Sequence, residues 1–259
     1  MLFLFSPTVR IIISILFLSL ASCTPDVLVP CDGDGPSGRL CREYRYYEGS
    51  AQGYVEFEYE GDSITSIFYD RGNNLKKTVI ERFSEERIAS VTNQFPDAPS
   101  VVGTYHYNEL DSLFLIVYGA NDSSLNISYV DGKRFTEHRV AGTDTISTKE
   151  FRYFQDNGEL YRISEYDENQ DLITYRNFDY FTTGGVEQYR TTEYTSDHDL
   201  IGRKVYTFTQ LGLISSMEYR LTDGTIAESM DYIYDSAGKL TEQNGQRLGN
   251  SSKSVYLYY

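Results

Sequence analysis

The sequence repeats one short phrase: an aromatic residue, several positions rich in Asp, Asn, Gly and Ser, and then an aliphatic or aromatic residue. YIYDSAGKL (232–240) is the clearest copy, and FYDRGNNL (68–75) and YDENQDL (166–172) are looser ones. Sixteen such marks lie from Tyr47 to Tyr234, which are 187 positions apart, so the mean step is about 12.5 residues. A step of this length with turn chemistry in every period is typical of short β-strands joined by hairpin turns.

The turn segments have the residues that hairpins need. DNGEL (156–160), TTGGV (182–186), TDGTI (222–226) and SAGKL (236–240) are the cleanest, because Asp, Asn and Gly tolerate positive φ or bond to their own backbone. The sequence therefore predicts an all-β domain, an antiparallel meander of about sixteen short strands. Open sheets rarely exceed about 10 strands, so we expect a curled sheet, a barrel-like closure or two packed sheets.

Two segments leave alternatives open. Between residues 76 and 103 the period weakens, and the spacing of Val79, Ile80, Phe83 and Ile88 allows a short helix as well as strands. The terminal SVYLYY (254–259) alternates as membrane-spanning strands do, but such strands need about 9 to 11 residues with a clean apolar face. Once the turn is subtracted, the repeat leaves strands shorter than a membrane-spanning strand, and they carry charges on both faces. We therefore expect the terminal strand to lie outside the membrane.

The N-terminal segment has the form of a secretory signal. Arg10 precedes an apolar run from Ile11 to Leu20, which is too short to span a bilayer and is followed by small residues. We assign residues 1–22 to a signal peptide. The Leu-Ala-Ser-Cys sequence that ends at Cys23 resembles the lipobox of bacterial lipoproteins, which implies that Cys23 carries lipid. An ordinary signal peptide whose cleavage site abuts a cysteine is the alternative.

The two remaining cysteines suggest a crosslink. Cys31 and Cys41 form an even pair in an oxidising compartment, where a disulfide is the ordinary state. A metal site is the competing interpretation, but no histidine lies near to complete four ligands. We expect residues 23–45 to form a lipid-anchored linker with a disulfide loop, and residues 46–259 to form the β-repeat domain.

The charges and motifs argue against several functions. The net charge of −15 repels phosphates, so nucleic acid is not an expected partner. His106, His138 and His198 are scattered, and DENQD (167–171) lacks the glycine and glutamate of a calcium loop. The sequence has no nucleophile elbow, zinc-protease helix or phosphate-binding loop. We predict no catalytic residue, no metal site and no cofactor.

The repeated phrase also resembles a known family. YIYDSAGKL (232–240) is similar to the tyrosine-aspartate (YD) repeats of the rearrangement-hotspot type, and looser copies extend the resemblance over residues 47–245. Behind a lipobox, such repeats resemble the short repeat lipoproteins of Bacteroidetes-type bacteria. The resemblance implies a curling β-sheet. It does not imply the cargo enclosure of large members, because this chain lacks their peptidase-like core and toxin tail.

These features together predict a lipoprotein of the bacterial cell envelope that is not an enzyme. The lipid on Cys23 would hold it to the membrane, and Thr24 favours the outer membrane. A surface rich in tyrosine, of which the chain has 24, suits binding to an envelope protein or polysaccharide. Two alternatives remain: the tyrosines only stabilise the sheet by pairing across strands, or the chain is a small envelope hydrolase that uses an acidic pair.

Overall fold

The computed structural model describes residue 31, residues 36–119 and residues 122–259. The predicted signal peptide (1–22) and the predicted lipidation site, Cys23, lie outside these residues. Among the described residues, no helix has the length and apolar character needed to cross a membrane.

Eighteen strands form the described part of the chain, and all of them belong to one antiparallel sheet. Most are 8 to 10 residues long, which follows from a repeat of about 12.5 residues less a turn. The strands are β1 (Leu40–Tyr47), β2 (Ser50–Glu60), β3 (Ser63–Asp70), β4 (Leu75–Ser84), β5 (Arg87–Phe95), β6 (Ala98–Tyr107), β7 (Leu113–Tyr118), β8 (Ser123–Val130), β9 (Lys133–Ala141), β10 (Asp144–Tyr153), β11 (Leu160–Tyr166), β12 (Leu172–Thr183), β13 (Val186–Thr195), β14 (Leu200–Phe208), β15 (Ile214–Leu221), β16 (Ile226–Tyr234), β17 (Leu240–Arg247) and β18 (Asn250–Tyr258).

The sheet closes on itself. Each strand pairs with the next one along the chain, and β1 also pairs with β18 from Leu40↔Tyr258 to Tyr47↔Ser252. The predicted all-β antiparallel meander is therefore confirmed, and its closure is that of a barrel. Closure removes the two unpaired edges that an open sheet of this size would have.

The segment from 76 to 103 is entirely β. It forms β4, β5 and most of β6, and Glu85 and Glu86 make a tight turn with φ of 51° and 65°. Runs of β-branched residues such as Thr78, Val79 and Ile80 suit a pleated strand. The helical alternative was wrong. The spacing of the apolar residues is compatible with both a helix and a strand, and in the structure this segment pairs with the neighbouring strands.

The sheet also begins earlier than the predicted boundary at residue 46. β1 starts at Leu40, and Arg42 to Tyr47 pair with β18 on one side and β2 on the other. Residues 40–45 are thus part of the barrel wall, whereas the sequence predicts that they belong to the linker.

The strands present two distinct faces because successive side chains point to opposite sides. Face A carries the buried apolar side chains of Val55, Ile116, Ile127, Phe151 and Met217. Face B carries the buried side chains of Thr92, Thr148, Ser164, Tyr175 and Thr192. Both faces also bear charged residues, as the mixed alternation in the sequence indicates.

The acidic excess is concentrated in the turns. Asp26, Asp32, Asp34 and Arg10 lie outside the described residues, which leaves 35 of the 38 acids and 22 of the 23 bases. The strands hold 17 of these acids and 19 of the bases, whereas the segments between strands hold 18 acids and two bases, and Arg39 precedes β1. Each end of the barrel has nine of those 18 acids, so the wall is almost neutral and the ends are negative.

Candidate binding surface

The repeated phrase forms a five-residue hairpin turn. In the copy at 235–239, the Asp235 amide donates to the Lys239 carbonyl at 2.9 Å, and the Gly238 amide donates to the Asp235 carbonyl at 3.1 Å. The Asp235 carboxylate accepts from the Ala237 and Lys239 amides, each at 2.9 Å. Gly238 has φ of 80°, a conformation that glycine adopts without steric cost. The same side-chain cap is made by Asp70, Asn108, Asp167 and Thr209.

The tyrosine before the turn ties two strands together. Tyr234, at the end of β16, donates its hydroxyl to the Ile214 carbonyl at the start of β15, at 2.8 Å. Four other tyrosines near the ends of even-numbered strands make the same bond: Tyr59, Tyr107, Tyr129 and Tyr258. Lys239 lies over the Tyr258 ring at 5.1 Å. The residues of the YIYDSAGKL phrase therefore have structural roles.

A shallow depression of about 190 Å³ on face A is a candidate binding site in the described part of the chain. It spans β9 to β13, and its charged residues alternate in sign across the strands. Glu137, Lys149 and Glu165 lie directly opposite one another on three successive strands, and Arg176 lies opposite Glu193. Its apolar lining includes Phe151 and Ile163.

Each carboxylate in the depression has a cationic partner. Arg134 contacts Glu137 at 2.5 Å, Lys149 contacts Glu165 at 3.6 Å, and Arg176 contacts Glu193 at 3.2 Å. A second depression of about 210 Å³ adjoins the first, shares Glu137, Lys149 and Glu165, and adds Arg139 and Tyr118. Four basic and three acidic side chains therefore line this part of face A, in a chain whose net charge is −15.

Tyrosines of face A form a stacked row beside the depression. Tyr189 on β13 stacks on Tyr206 of β14 with ring centroids 4.5 Å apart and an interplanar angle of 11°, and Tyr180 lies 6.1 Å from Tyr189. Burial, followed by the neighbouring Tyr206, raises the pKa of Tyr189 to about 12. The ring faces of Tyr189 and Tyr206 therefore cover each other, whereas the Tyr180 ring is tilted by 33° against Tyr189.

The predicted cysteine sites have different outcomes. Cys23 lies outside the described residues. Cys31 and Cys41 are joined by a disulfide, with their Cα atoms 6.1 Å apart. Cys41 lies in β1 and is 5% exposed. The crosslink therefore connects residue 31 to the barrel wall.

The histidines do not converge on one site. His138 Nδ1 lies 3.0 Å from the Thr148 hydroxyl, and His198 Nδ1 lies 2.9 Å from the Tyr175 hydroxyl. His106 lies 6.4 Å from Phe114, ring to ring. Asp167 of the DENQD segment caps its own turn. No group of three or more metal-ligating side chains occurs among the residues that the structure describes.

Sequence reasoning missed the residues of the depression. The signal in the sequence is a charged residue of alternating sign at comparable positions of successive repeats, as in Glu137, Lys149 and Glu165. Register shifts interrupt the pairing near strand ends, for example between Arg152 and Tyr153. The repeat period alone therefore does not show which of these charges lie side by side.

Comparisons with known proteins give no family. No protein-family model and no curated protein matches the sequence. Solved structures with some similarity include a porin-like protein from Bacteroides uniformis, 13% identical, with a TM-score of 0.46 over 86% of this chain and 98% of that one. A putative outer membrane lipoprotein-sorting protein domain from Vibrio parahaemolyticus is 8% identical, with a TM-score of 0.30 over 84% and 82%. At these scores the similarities support no conclusion about function.

Proposed function

We propose that this chain is a lipid-anchored protein of the bacterial cell envelope, of the YD-repeat lipoprotein type, whose barrel binds an envelope polysaccharide or protein and catalyses no reaction. The depression on face A is the observation that carries the proposal. It combines ion pairs, hydroxyl groups and an apolar floor, which are features of sites that hold a polar ligand in a fixed orientation.

The ion pairs of the depression favour binding over hydrolysis. Glycoside hydrolysis needs one protonated carboxylic acid beside one free carboxylate. Here Glu137, Glu165 and Glu193 each contact a lysine or arginine, so none of these three carboxyl groups is without a cationic partner. The chain also has no tryptophan.

Neutralising one ion pair of the depression tests the binding role. The variant Arg176→Gln/Glu193→Gln removes the pair between β12 and β13 on face A without changing net charge. Asp179→Asn/Arg190→Gln removes a pair between the same two strands on face B, where the contact is 2.9 Å, and is the matched control. Exposed pairs contribute about 0 to 1 kcal/mol, so both variants should fold.

The readout is binding of the full chain, in detergent, to arrays of envelope glycans and purified envelope proteins. We expect a ligand whose binding falls at least about tenfold in the Arg176→Gln/Glu193→Gln variant, a change of about 1.4 kcal/mol, and is retained in the control. Loss in the control alone would place the ligand on face B and contradict the assignment to the depression. Absence of any ligand would contradict the binding role.

The lipid anchor is tested separately by Cys23→Ala. We expect this variant to move from the membrane fraction to the soluble fraction after cell lysis, because a lipid chain is the proposed membrane attachment. Separation of inner from outer membranes tests the proposed outer-membrane location. Unchanged membrane retention of Cys23→Ala would refute lipid anchoring and leave the binding experiment unaffected.

A further inference from the structure

Face B carries a row of six directly paired residues across six strands, and four of the six are arginines; we call it the arginine row. Arg152 on β10 lies opposite Arg162 on β11, and Arg203 on β14 lies opposite Arg220 on β15. Asn177 on β12 and Thr192 on β13 complete the row between them, each directly opposite its neighbours. Neighbouring strands are about 4.8 Å apart, so the row is about 24 Å long.

This arrangement places like charges side by side. Two arginines directly opposite one another repel, and a sheet ordinarily avoids such pairs. The outer arginines are compensated along their own strands, Arg152 by Glu150 at 3.3 Å and Arg220 by Glu218 at 2.6 Å. The row itself contains no acid, although the chain has 38 acids and 23 bases.

The two inner arginines lack carboxylate partners among the described residues. Arg162 lies over the Tyr175 ring, with its guanidinium carbon 3.9 Å from the ring centroid, and its Nε is buried without a hydrogen-bond partner in the described part of the chain. Arg203 is exposed. The terminal guanidinium nitrogens of Arg162 are not among the buried unpartnered atoms, so an anionic ligand would contact Arg162 through them.

We propose that the arginine row of face B binds an extended acidic polysaccharide whose carboxylate groups meet Arg162 and Arg203. The guanidinium group is suited to this task because it binds carboxylates through two parallel hydrogen bonds. Asn177 and Thr192, between the arginines, offer an amide and a hydroxyl for sugar hydroxyl groups. This site is on the opposite face from the depression and depends on neither its ligand nor the lipid anchor.

The spacing of charges favours an acidic polysaccharide over nucleic acid. Arg162 and Arg203 are three strands apart, about 14 Å, which suits widely spaced anionic groups. A nucleic-acid strand has a phosphate about every 3.4 Å of duplex axis. Such a density would bring phosphates against Glu150, Asp179 and Glu218, which flank the row on face B.

Hyaluronate, a polysaccharide in which a uronic acid alternates with a neutral amino sugar so that its carboxylates are widely spaced, is the probe for this site. Binding of the full chain in non-ionic detergent is measured by calorimetry, with neutral dextran, oligothymidylate and vesicles of phosphatidylglycerol as comparison ligands. The test variant is Arg162→Gln/Arg203→Gln. The matched control is Arg82→Gln/Arg247→Gln, which removes the same charge from exposed arginines of β4 and β17.

We expect hyaluronate to bind the wild type, with an affinity that falls as salt rises, and dextran not to bind. The double variant should lose about tenfold per arginine, the usual effect of removing a charge-assisted hydrogen bond, while the control stays within about threefold. If Arg162→Gln prevents folding, judged by the thermal melt, the exposed Arg203→Gln alone should lose about tenfold.

Three results would overturn the proposal. The first is absence of hyaluronate binding to the wild type. The second is equal loss in the test and control variants, which would indicate attraction to overall charge. The third is tighter binding to oligothymidylate or to the vesicles, which would assign the row to phosphates of nucleic acid or lipid headgroups.

Discussion

At the scale of single residues, tyrosine has two structural roles in this sheet. Tyrosines such as Tyr234 and Tyr258 donate their hydroxyl groups to carbonyls at the start of the preceding strand. Others stack across strands, as Tyr175 does with Tyr194 at 4.9 Å. Such aromatic pairs contribute about 0.5 to 1.5 kcal/mol beyond burial. Stabilisation of the sheet thus accounts for many of the 24 tyrosines, and the binding proposals rest on charged residues instead.

The raised pKa of Tyr189 makes the free energy of unfolding depend on pH in the alkaline range. Its pKa in the folded chain is about 12, above the value of about 10 for an unfolded tyrosine. The folded state therefore keeps a proton that the unfolded state loses, and this stabilisation is complete below about pH 10 and disappears as pH rises to about 12. We expect the free energy of unfolding, from urea melts, to fall over this interval.

The variant Tyr189→Phe isolates this contribution. Its free energy of unfolding should fall less steeply between pH 10 and 12, values set by the two pKa values above. Tyr47→Phe is the control, because Tyr47 is 45% exposed, and it should follow the wild type. The same slope in Tyr189→Phe and wild type would show that Tyr189 ionises equally in both states.

At the scale of the element, the hairpin turn is stabilised by its first side chain. Asp70, Asn108, Asp167 and Asp235 each accept two backbone amides. The turn at Leu221 has the same two backbone bonds but begins with a side chain that accepts no hydrogen bond. The backbone path is therefore common to these turns, and the cap adds to its stability.

Substitution of Asp235 tests the contribution of the cap. We expect Asp235→Ala to lower the free energy of unfolding by about 1 kcal/mol, because the Ala237 and Lys239 amides lose their acceptor. Asp235→Asn keeps an acceptor oxygen and should remain close to wild type. Urea denaturation measures both. Equal destabilisation by alanine and asparagine would mean that charge, and not the turn geometry, is responsible.

The sequence specifies turns better than it specifies neighbours across the sheet. Gly238 and Asp235 mark their turn locally, so the sequence predicts it without knowledge of the fold. The helix or strand choice at 76–103 depends on pairing with adjacent strands, which local spacing does not contain. The row from Arg152 to Arg220 depends on five successive registers. A shift of one residue in any of them would move one part of the row to the other face.

At the scale of the whole molecule, one pairing holds the barrel shut. All other neighbours are consecutive in the chain, but β1 must meet β18, which is more than 200 residues away. Around this junction, the Gly38 amide donates to the Tyr259 carbonyl and the Tyr259 amide donates to the Arg39 carbonyl, each at 2.9 Å. Closure therefore depends on contacts of long sequence separation, which form slowly during folding.

Removal of β18 is expected to cause self-association. Deleting residues 250–259 leaves β1 and β17 with unpaired backbone groups, which are templates for pairing with another molecule. Size-exclusion chromatography with light scattering should show larger assemblies than the full chain forms at the same concentration. Deletion of Tyr259 alone keeps β18 and is the control. An unchanged mass for the longer deletion would show that the wall reseals without β18.

The concentration of acids in the turns affects how molecules of this protein meet one another. A closed wall offers no strand edge for pairing with another molecule, and contact between two barrel ends brings their turns together. Each end carries nine acids between its strands, and like charges at close range repel. Because the strands hold nearly equal numbers of acids and bases, the pairing of strands is not opposed by the same repulsion. The acids in the turns therefore favour solubility of the folded barrels, and they lie outside the strand pairs that form the sheet.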